Sequence, residues 1–303
     1  MRSSVQQGAS LRPVLDMSLA MVLVGATAPL GELALRGIPL FVVLAARLFL
    51  AGAALWLLDR ARRTGASLPY PPVRLSPRHW AVLGFQALCG VVVFNCCLWL
   101  GMETAGPAAA GVFTSATPAV MVLLGAVFFR ERPSGRALAG VVLAVAGVLA
   151  ARGGEAGPWR PAPADLWLLA AVAGESLFLL ALKWLPRELS PLDAARRVTW
   201  LGLAWVLPLA FVQAGDLRPG QVGASAWLAV AVLGVLVTAG GYVLWFRGVG
   251  RSRPSQAAAV TGLLPVSAVL CAWALTGETP EASQLAGCLA VGAGILLASP
   301  RGG

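Results

Sequence analysis

The chain of 303 residues is 58% hydrophobic and only 12% charged, against roughly 25% charged in soluble globular domains, which excludes an ordinary water-soluble fold and places it in a bilayer. Its formal net charge is +10, but the bases alternate with long apolar runs and form no single basic face, so they read as determinants of membrane orientation and not as a nucleic-acid surface. Cys89, Cys96, Cys97, Cys271 and Cys288 all fall inside apolar runs, and with the single His79 they offer no metal-ligand spacing; neither metal nor cofactor is expected.

Ten apolar stretches have the about 17–25 residues that cross about 30 Å of hydrocarbon as helix. They run approximately 14–34, 38–58, 79–101, 107–129, 135–152, 164–185, 192–213, 225–247, 254–276 and 282–299. The first follows Arg2 and Arg12 and contains Ala26-Thr27-Ala28, which imitates a secretory signal, but Pro29 directly after such a cut and a run that continues to Leu35 favour a retained spanning helix. The second carries Arg47 at its middle. A base there must face protein, water or a counter-charge, so it either clamps a substrate carboxylate or holds helix ends in place.

The third run carries Gln86, Asn95 and Trp99. Asn95 and Trp99 are four apart and share a helical face that can take an aromatic or cationic group; Trp99 can instead anchor at the membrane interface. In the fourth run Pro118 removes the donor to the Thr114 carbonyl and predicts a kink. Gly140, Ala144 and Gly147 give the fifth a small-residue face for close helix approach, against another helix or a second subunit. Residues 153–163, rich in Gly and Pro, read as an external linker between a first half, 14–152, and a second, 164–299. The sixth run holds Glu175 near its centre with no base within a helical turn. A carboxylate at that depth costs about 2.5–3.5 kcal/mol, so it is a candidate site of proton coupling or of substrate-amine binding, the alternative being a protonated Glu hydrogen-bonded to a neighbouring helix. Tyr242, Trp245 and Phe246 lie in the eighth run, Thr261 and Pro265 in the ninth, Gly287 and Gly294 in the tenth.

The two halves repeat. Residues 101–150 align without a gap on 248–297 and match at 15 of 50 positions, among them Pro107/Pro254, Thr114/Thr261, Pro118/Pro265, Glu131/Glu278, Pro133/Pro280, Gly140/Gly287 and Gly147/Gly294. At the same offset of 147, Asn95 pairs with Tyr242 and Trp99 with Phe246. Glu131 and Glu278 fall at helix ends and read as local caps or pairs. Alternate ends of the ten runs carry 18 and 4 basic residues, an asymmetry that places both termini in the cytoplasm. Five spans per half invert the second copy, an arrangement typical of carriers with a midplane site. The two proline kinks then read as hinges beside that site.

Arg47, the mirrored prolines Pro118 and Pro265, and the turn Glu followed by spaced glycines (Glu131 to Gly147, Glu278 to Gly294) together resemble the drug/metabolite transporter superfamily, specifically its EamA-type ten-helix carriers, over nearly the whole chain. The resemblance implies secondary transport of small organic metabolites, amino-acid export or drug efflux included, through a cavity between two inverted five-helix halves. Many members carry Trp-Gly or Trp-Ala in the first and sixth helices; here those places read Val24-Gly25-Ala26 and Gly174-Glu175-Ser176. An enzyme is disfavoured by the lack of a phosphate loop, a nucleotide motif or paired intramembrane carboxylates. The rival reading is a passive channel or membrane scaffold. The expected partners are a small-molecule substrate, the lipid bilayer and, as a candidate coupling ion, the proton. The expected form is a monomer or homodimer, and the expected location a bacterial inner membrane.

Overall fold

The computed structural model describes residues 11–64, 73–130, 132–152, 162–186, 188–249 and 260–298. Arg2, Glu131, Arg160, Arg187, Arg251, Arg253, Pro254 and Arg301, most of the 153–163 linker, and the side chains of Arg63, Arg152 and Phe246 lie outside that description. Every regular element among the described residues is helical. In chain order these are α1 (Leu11–Gly25), α2 (Thr27–Leu35), α3 (Leu40–Thr64), α4 (Pro77–Ala87), a π-helical segment (Leu88–Val93), α5 (Phe94–Ser115), α6 (Thr117–Phe129) and α7 (Gly135–Arg152). The second half has α8 (Pro163–Ala181), α9 (Pro191–Gln213), α10 (Ala224–Val232), a second π-helical segment (Leu233–Gly240), α11 (Gly241–Val249), α12 (Leu263–Thr276) and α13 (Ala282–Ala298), with short 3-10 turns at Leu182–Trp184, Ala214–Asp216 and Pro219–Gln221. Among the described residues, seven stretches are long and apolar enough to cross a membrane, and three shorter apolar helices fall at 135–150, 263–276 and 282–297.

The outward faces are those of a membrane protein. Phe211, Val212, Val127 and Leu289 are between 71% and 81% exposed, whereas a soluble monomer rarely leaves large apolar patches in water. Inside, Met17, Leu44, Leu83, Trp99, Leu168 and Leu233 are fully enclosed.

Several predicted spans are helices interrupted near their middle. Within the first run the chain turns at Ala26 (φ −75°, ψ −4°), three residues before Pro29. The fourth turns at Ala116 (φ −78°, ψ −1°), two residues before Pro118. The ninth turns at Gly262 (φ −62°, ψ −15°), three residues before Pro265. Each proline lacks the N–H that would close a helical bond and crowds the preceding turn, so helix restarts at the bend. The third and eighth runs are instead widened by their π segments. Gly106, with φ +77° and ψ +163°, turns α5 at the junction between the third and fourth runs, a conformation open to glycine.

Equivalent places in the two copies share local geometry. Shifted by 147, the first π segment falls inside the second. The left-handed C-cap Arg130 (φ 53°) falls on the left-handed C-cap Gly277 (φ 76°). Packing repeats as well: α3 lies on α9 and α7 on α13, while α1 contacts α11 and α12 as α8 contacts α5 and α6. The α7–α13 seam is built on the small-residue faces. A methyl built on Gly147 would lie 2.8 Å from the Gly287 carbonyl, and one built on Gly294 would lie 2.6 Å from that of Gly140. These glycines therefore serve another helix of the same chain.

A side chain at that seam must push two backbones apart, and overpacking of this kind costs about 1–3 kcal/mol. Gly147→Val and Gly294→Val are each expected to lower the thermal unfolding midpoint in detergent, with no comparable loss for Gly135→Val, whose added carbon meets nothing within 4 Å. Equal midpoints for all three variants would contradict this packing.

Candidate functional site

The helix interruptions converge on one cavity of about 230 Å³. Its wall takes Gly25 and Thr27 from the α1–α2 bend, Thr114, Thr117 and Pro118 from the α5–α6 bend, and Thr261 and Leu264 from the bend before α12. Gly90 and Val91 of the first π segment and Val237 and Thr238 of the second face it too, with Arg47 on α3, Asn95 on α5, Glu175 on α8, Thr199 on α9 and Tyr242 and Trp245 on α11.

Arg47 is 8% exposed. Its Nε donates to Thr238 Oγ1 at 2.9 Å and its Nη1 to Asn95 Oδ1 at 2.8 Å. Both acceptors are held by the π segments. Thr238 Oγ1 donates to the Leu233 carbonyl five residues back at 2.8 Å, and Asn95 Nδ2 donates to the Val91 carbonyl at 2.8 Å. The guanidinium is thus fixed between the widened helices of the two halves by neutral groups, each occupied on its other side by a backbone carbonyl. A methyl built on Gly234 would lie 2.8 Å from the Arg47 carbonyl, so α3 runs hard against the second π segment at this point.

Glu175 faces the same cavity from α8, one residue past Gly174, where an added carbon would lie 2.8 Å from the Cys89 carbonyl of the first π segment. Thr117 Oγ1 lies 2.6 Å from Glu175 Oε2 and 2.7 Å from the Thr114 carbonyl. That carbonyl is the one whose helical donor Pro118 removes. Ser176 Oγ donates to the Val172 carbonyl at 2.7 Å and reaches the Thr117 carbonyl at 3.3 Å, which ties α8 to the start of α6.

Of the residues singled out in the sequence, Arg47, Asn95, Thr114, Pro118, Glu175, Tyr242 and Thr261 line this cavity. Gln86 and Trp99 are not among its lining residues. Gln86 is buried and donates from Nε2 to the Phe178 carbonyl of α8 at 2.9 Å. Trp99, also buried, packs its indole N–H edge on Gly31 and borders a second cavity of about 410 Å³ with Glu32, Arg36, Ile38 and Glu103. Leu98 and Trp99 are consecutive, one at each cavity. Pro265 is buried within α12 and its carbonyl receives the Cys288 thiol at 3.4 Å. Glu278 accepts from Gln284 Nε2 at 3.5 Å and sits beside the Gly106 turn. Sequence reasoning passed over Thr117 and Thr238. Their signals were present: Thr117 directly precedes Pro118, and Thr238 lies one helical turn before Tyr242. No group of three or more His, Cys, Asp or Glu suited to a metal occurs among the described residues.

The clamp on Arg47 sets a stability expectation. Asn95→Leu removes one acceptor from a buried charge, and a lost partner of that kind costs about 1–3 kcal/mol. Asn95→Leu and Thr238→Val are each expected to lower the midpoint of denaturant unfolding, and in the double variant the two losses are expected to be non-additive, because both act through one guanidinium. Strict additivity would show that the two contacts are independent.

Comparison with known proteins agrees with this architecture. The model of the EamA-like transporter family matches residues 12–152 and again residues 162–299. An uncharacterized transporter, YetK, of Bacillus subtilis (strain 168) is 29% identical over 286 residues, covering 93% of this chain and 85% of that protein. A protein of Streptantibioticus cattleyicolor named "Probable terminal-alkyne amino-acid exporter" is 30% identical over 220 residues, covering 71% of this chain and 72% of its own length. A solved crystal structure superposes with a TM-score of 0.64 at 22% identity, spanning 94% of this chain and 96% of the other, which shows a shared fold. The chain belongs to the EamA-like transporter family and is a multi-pass membrane transporter of small molecules.

Proposed function

We propose that the protein is a proton-coupled secondary carrier that exports small zwitterionic or amine-bearing metabolites, amino acids in particular, by alternating access at the central cavity. The observation that carries this reading is the cavity itself: a guanidinium on α3 and a carboxyl group on α8 both line it, each held by neutral partners. A substrate with an ammonium and a carboxylate has a complement for each end. The volume supports a small occupant, since about 230 Å³ is below the about 300–1,000 Å³ of pockets that take drug-sized ligands. The amino-acid exporter named among the relatives points the same way.

In this reading all ten apolar runs cross the membrane and the two halves, 14–152 and 164–299, are inverted copies joined by an external linker, with both termini in the cytoplasm of a bacterial inner membrane. The crosswise contacts at the α7–α13 seam support it, because position 140 meets the equivalent of 147 and position 147 meets the equivalent of 140, as a two-fold axis requires. The halves rock about the cavity with Pro118 and Pro265 beside the bends. Glu175 releases its proton to receive the substrate ammonium and is reprotonated on the other side, so that protons move inward as substrate moves out. Arg47 keeps its charge throughout and holds the two π segments while orienting the carboxylate end.

The test is transport in proteoliposomes with a panel of neutral amino acids and cationic aromatic amines under imposed pH gradients of either sign. Glu175→Gln is expected to lose gradient-driven accumulation by about 5- to 150-fold, the range of a 1–3 kcal/mol coupling, while substrate exchange without a gradient continues. Gradient-driven transport at the wild-type rate in Glu175→Gln would remove the carboxylate from the coupling step.

A further inference from the structure

We infer that Thr117 is a positioning residue through which the protonation of Glu175 sets the state of the α5–α6 bend. This rests on the reading of Glu175 as the coupling carboxylate. A threonine hydroxyl donates one hydrogen bond and can accept others. Here Oγ1 lies 2.7 Å from the Thr114 carbonyl and 2.6 Å from Glu175 Oε2. Its one proton cannot serve both.

With Glu175 protonated, both contacts are made at once: the carboxylic acid donates to Thr117 Oγ1, and Thr117 donates to the Thr114 carbonyl in place of the N–H that Pro118 lacks. When Glu175 releases its proton to water in the cavity, its carboxylate becomes an acceptor only. The Thr117 hydroxyl then turns to the carboxylate, a charge-assisted bond stronger than the neutral one it leaves. The Thr114 carbonyl loses this hydroxyl donor and keeps only the Ala116 N–H that it shares with the Phe113 carbonyl, and in a membrane it must complete its bonding with water or another partner. One proton leaves, one hydroxyl rotates, and the bend loosens on its cavity side. Ser176 Oγ donates to the Val172 carbonyl at 2.7 Å and lies 3.3 Å from that of Thr117, so α8 sits close against the start of α6 and the Thr117 hydroxyl stays between its two acceptors.

The other half lacks this device. The position equivalent to Thr117 is Leu264, which also lines the cavity and has no hydroxyl, and the cavity-facing stretch Val24–Ala28 of the α1–α2 bend holds no carboxylate. Only one of two symmetry-related bends is therefore sensitive to the proton.

Other ionisable groups near Glu175 are few. Arg47 on α3 and Tyr242 on α11 share its cavity. Among the elements packed on α8, α6 carries none, α5 carries Cys96, Cys97 and Glu103, the first π segment carries Cys89, α4 carries Arg78 and His79 at its start, and the short helical turn Leu182–Trp184 carries Lys183. On α8 itself Asp165 is ten residues away.

The test is hydrogen–deuterium exchange of the full chain in lipid nanodiscs, followed in a peptide covering Phe113 to Met121 from mildly acid to mildly alkaline pH and corrected for intrinsic exchange. The wild type is expected to show a step of about fivefold faster exchange as pH rises, the effect of one net hydrogen bond on a local opening equilibrium. Thr117→Ser is expected to keep the step, and Thr117→Val and Glu175→Gln to lose it, with peptides of α13 unchanged throughout. A flat wild-type profile, a flat Thr117→Ser profile or a step that survives in Thr117→Val overturns the proposal. A step lost in Glu175→Gln but kept in Thr117→Val leaves Glu175 as the coupling carboxylate and removes Thr117 from the relay. A step kept in both variants removes both.

Discussion

A backbone carbonyl freed inside a bilayer has no water to bond with, and that constraint organises this protein more than any single packing contact. Regular helix satisfies the rule by itself; every interruption must be settled locally. Here the bends at Ala26, Ala116 and Gly262 and both π segments all border the same cavity. Three polar side chains on its wall attend to carbonyls at these interruptions: Thr117 to that of Thr114, Asn95 to that of Val91, Thr238 to that of Leu233. Breaking helices and lining a polar cavity are thus one structural act. The carbonyls need partners, and the partners supply the hydroxyls and amides that then hold Arg47 and meet Glu175.

Much of this was legible in the sequence because the energetic signals are large. Long apolar runs, a lone intramembrane Arg and a lone intramembrane Glu each stand out against a cost of a few kcal/mol, and Pro118 predicts its bend from covalent geometry alone. What was not legible lies across the π segments. Each widened turn shifts the rotational register of everything after it, so α-helical spacing does not relate residues before Leu88 to those beyond Val93. The structure turns Gln86 onto α8 and Asn95 onto Arg47, with Leu88–Val93 between them. Trp99, one turn beyond Asn95, borders the other cavity because Gly31 opposite it leaves room for the indole. Thr117 and Thr238 escaped attention for a different reason. A hydroxyl in an apolar run is ordinarily content with a carbonyl of its own helix, and only the facing helix reveals a second partner.

The two copies keep their framework alike and their contents different. Left-handed caps at Arg130 and Gly277, coincident π segments and the crosswise glycine contacts repeat the scaffold. The cavity wall departs from that symmetry: Glu175 and Thr117 stand on one side, while Leu264 takes the place of Thr117 on the other. Under the proposed alternating access, a symmetric scaffold brings the inward-open and outward-open shapes close in energy, because each half can adopt the conformation of its counterpart. Asymmetric contents bias one shape against the other when the ligand state changes, which is the differential interaction that any ligand-driven shift requires.

Charge arithmetic gives the bias its form in the proposed cycle. The guanidinium of Arg47 is constant and the carboxyl of Glu175 is not, so the cavity alternates between one net positive charge and none. Ionised, Glu175 forms with Arg47 an opposed pair that a zwitterion complements without adding net charge to a low-dielectric site. Protonated, it leaves Arg47 uncompensated and offers the ammonium no counter-ion. Substrate and proton therefore compete for one carboxylate, and because the Thr117 hydroxyl bonds differently to each form, the competition extends to the backbone beside Pro118. A carrier built this way needs no separate device to couple its driving ion to its motion: the group that chooses between proton and substrate is already hydrogen-bonded to the bend.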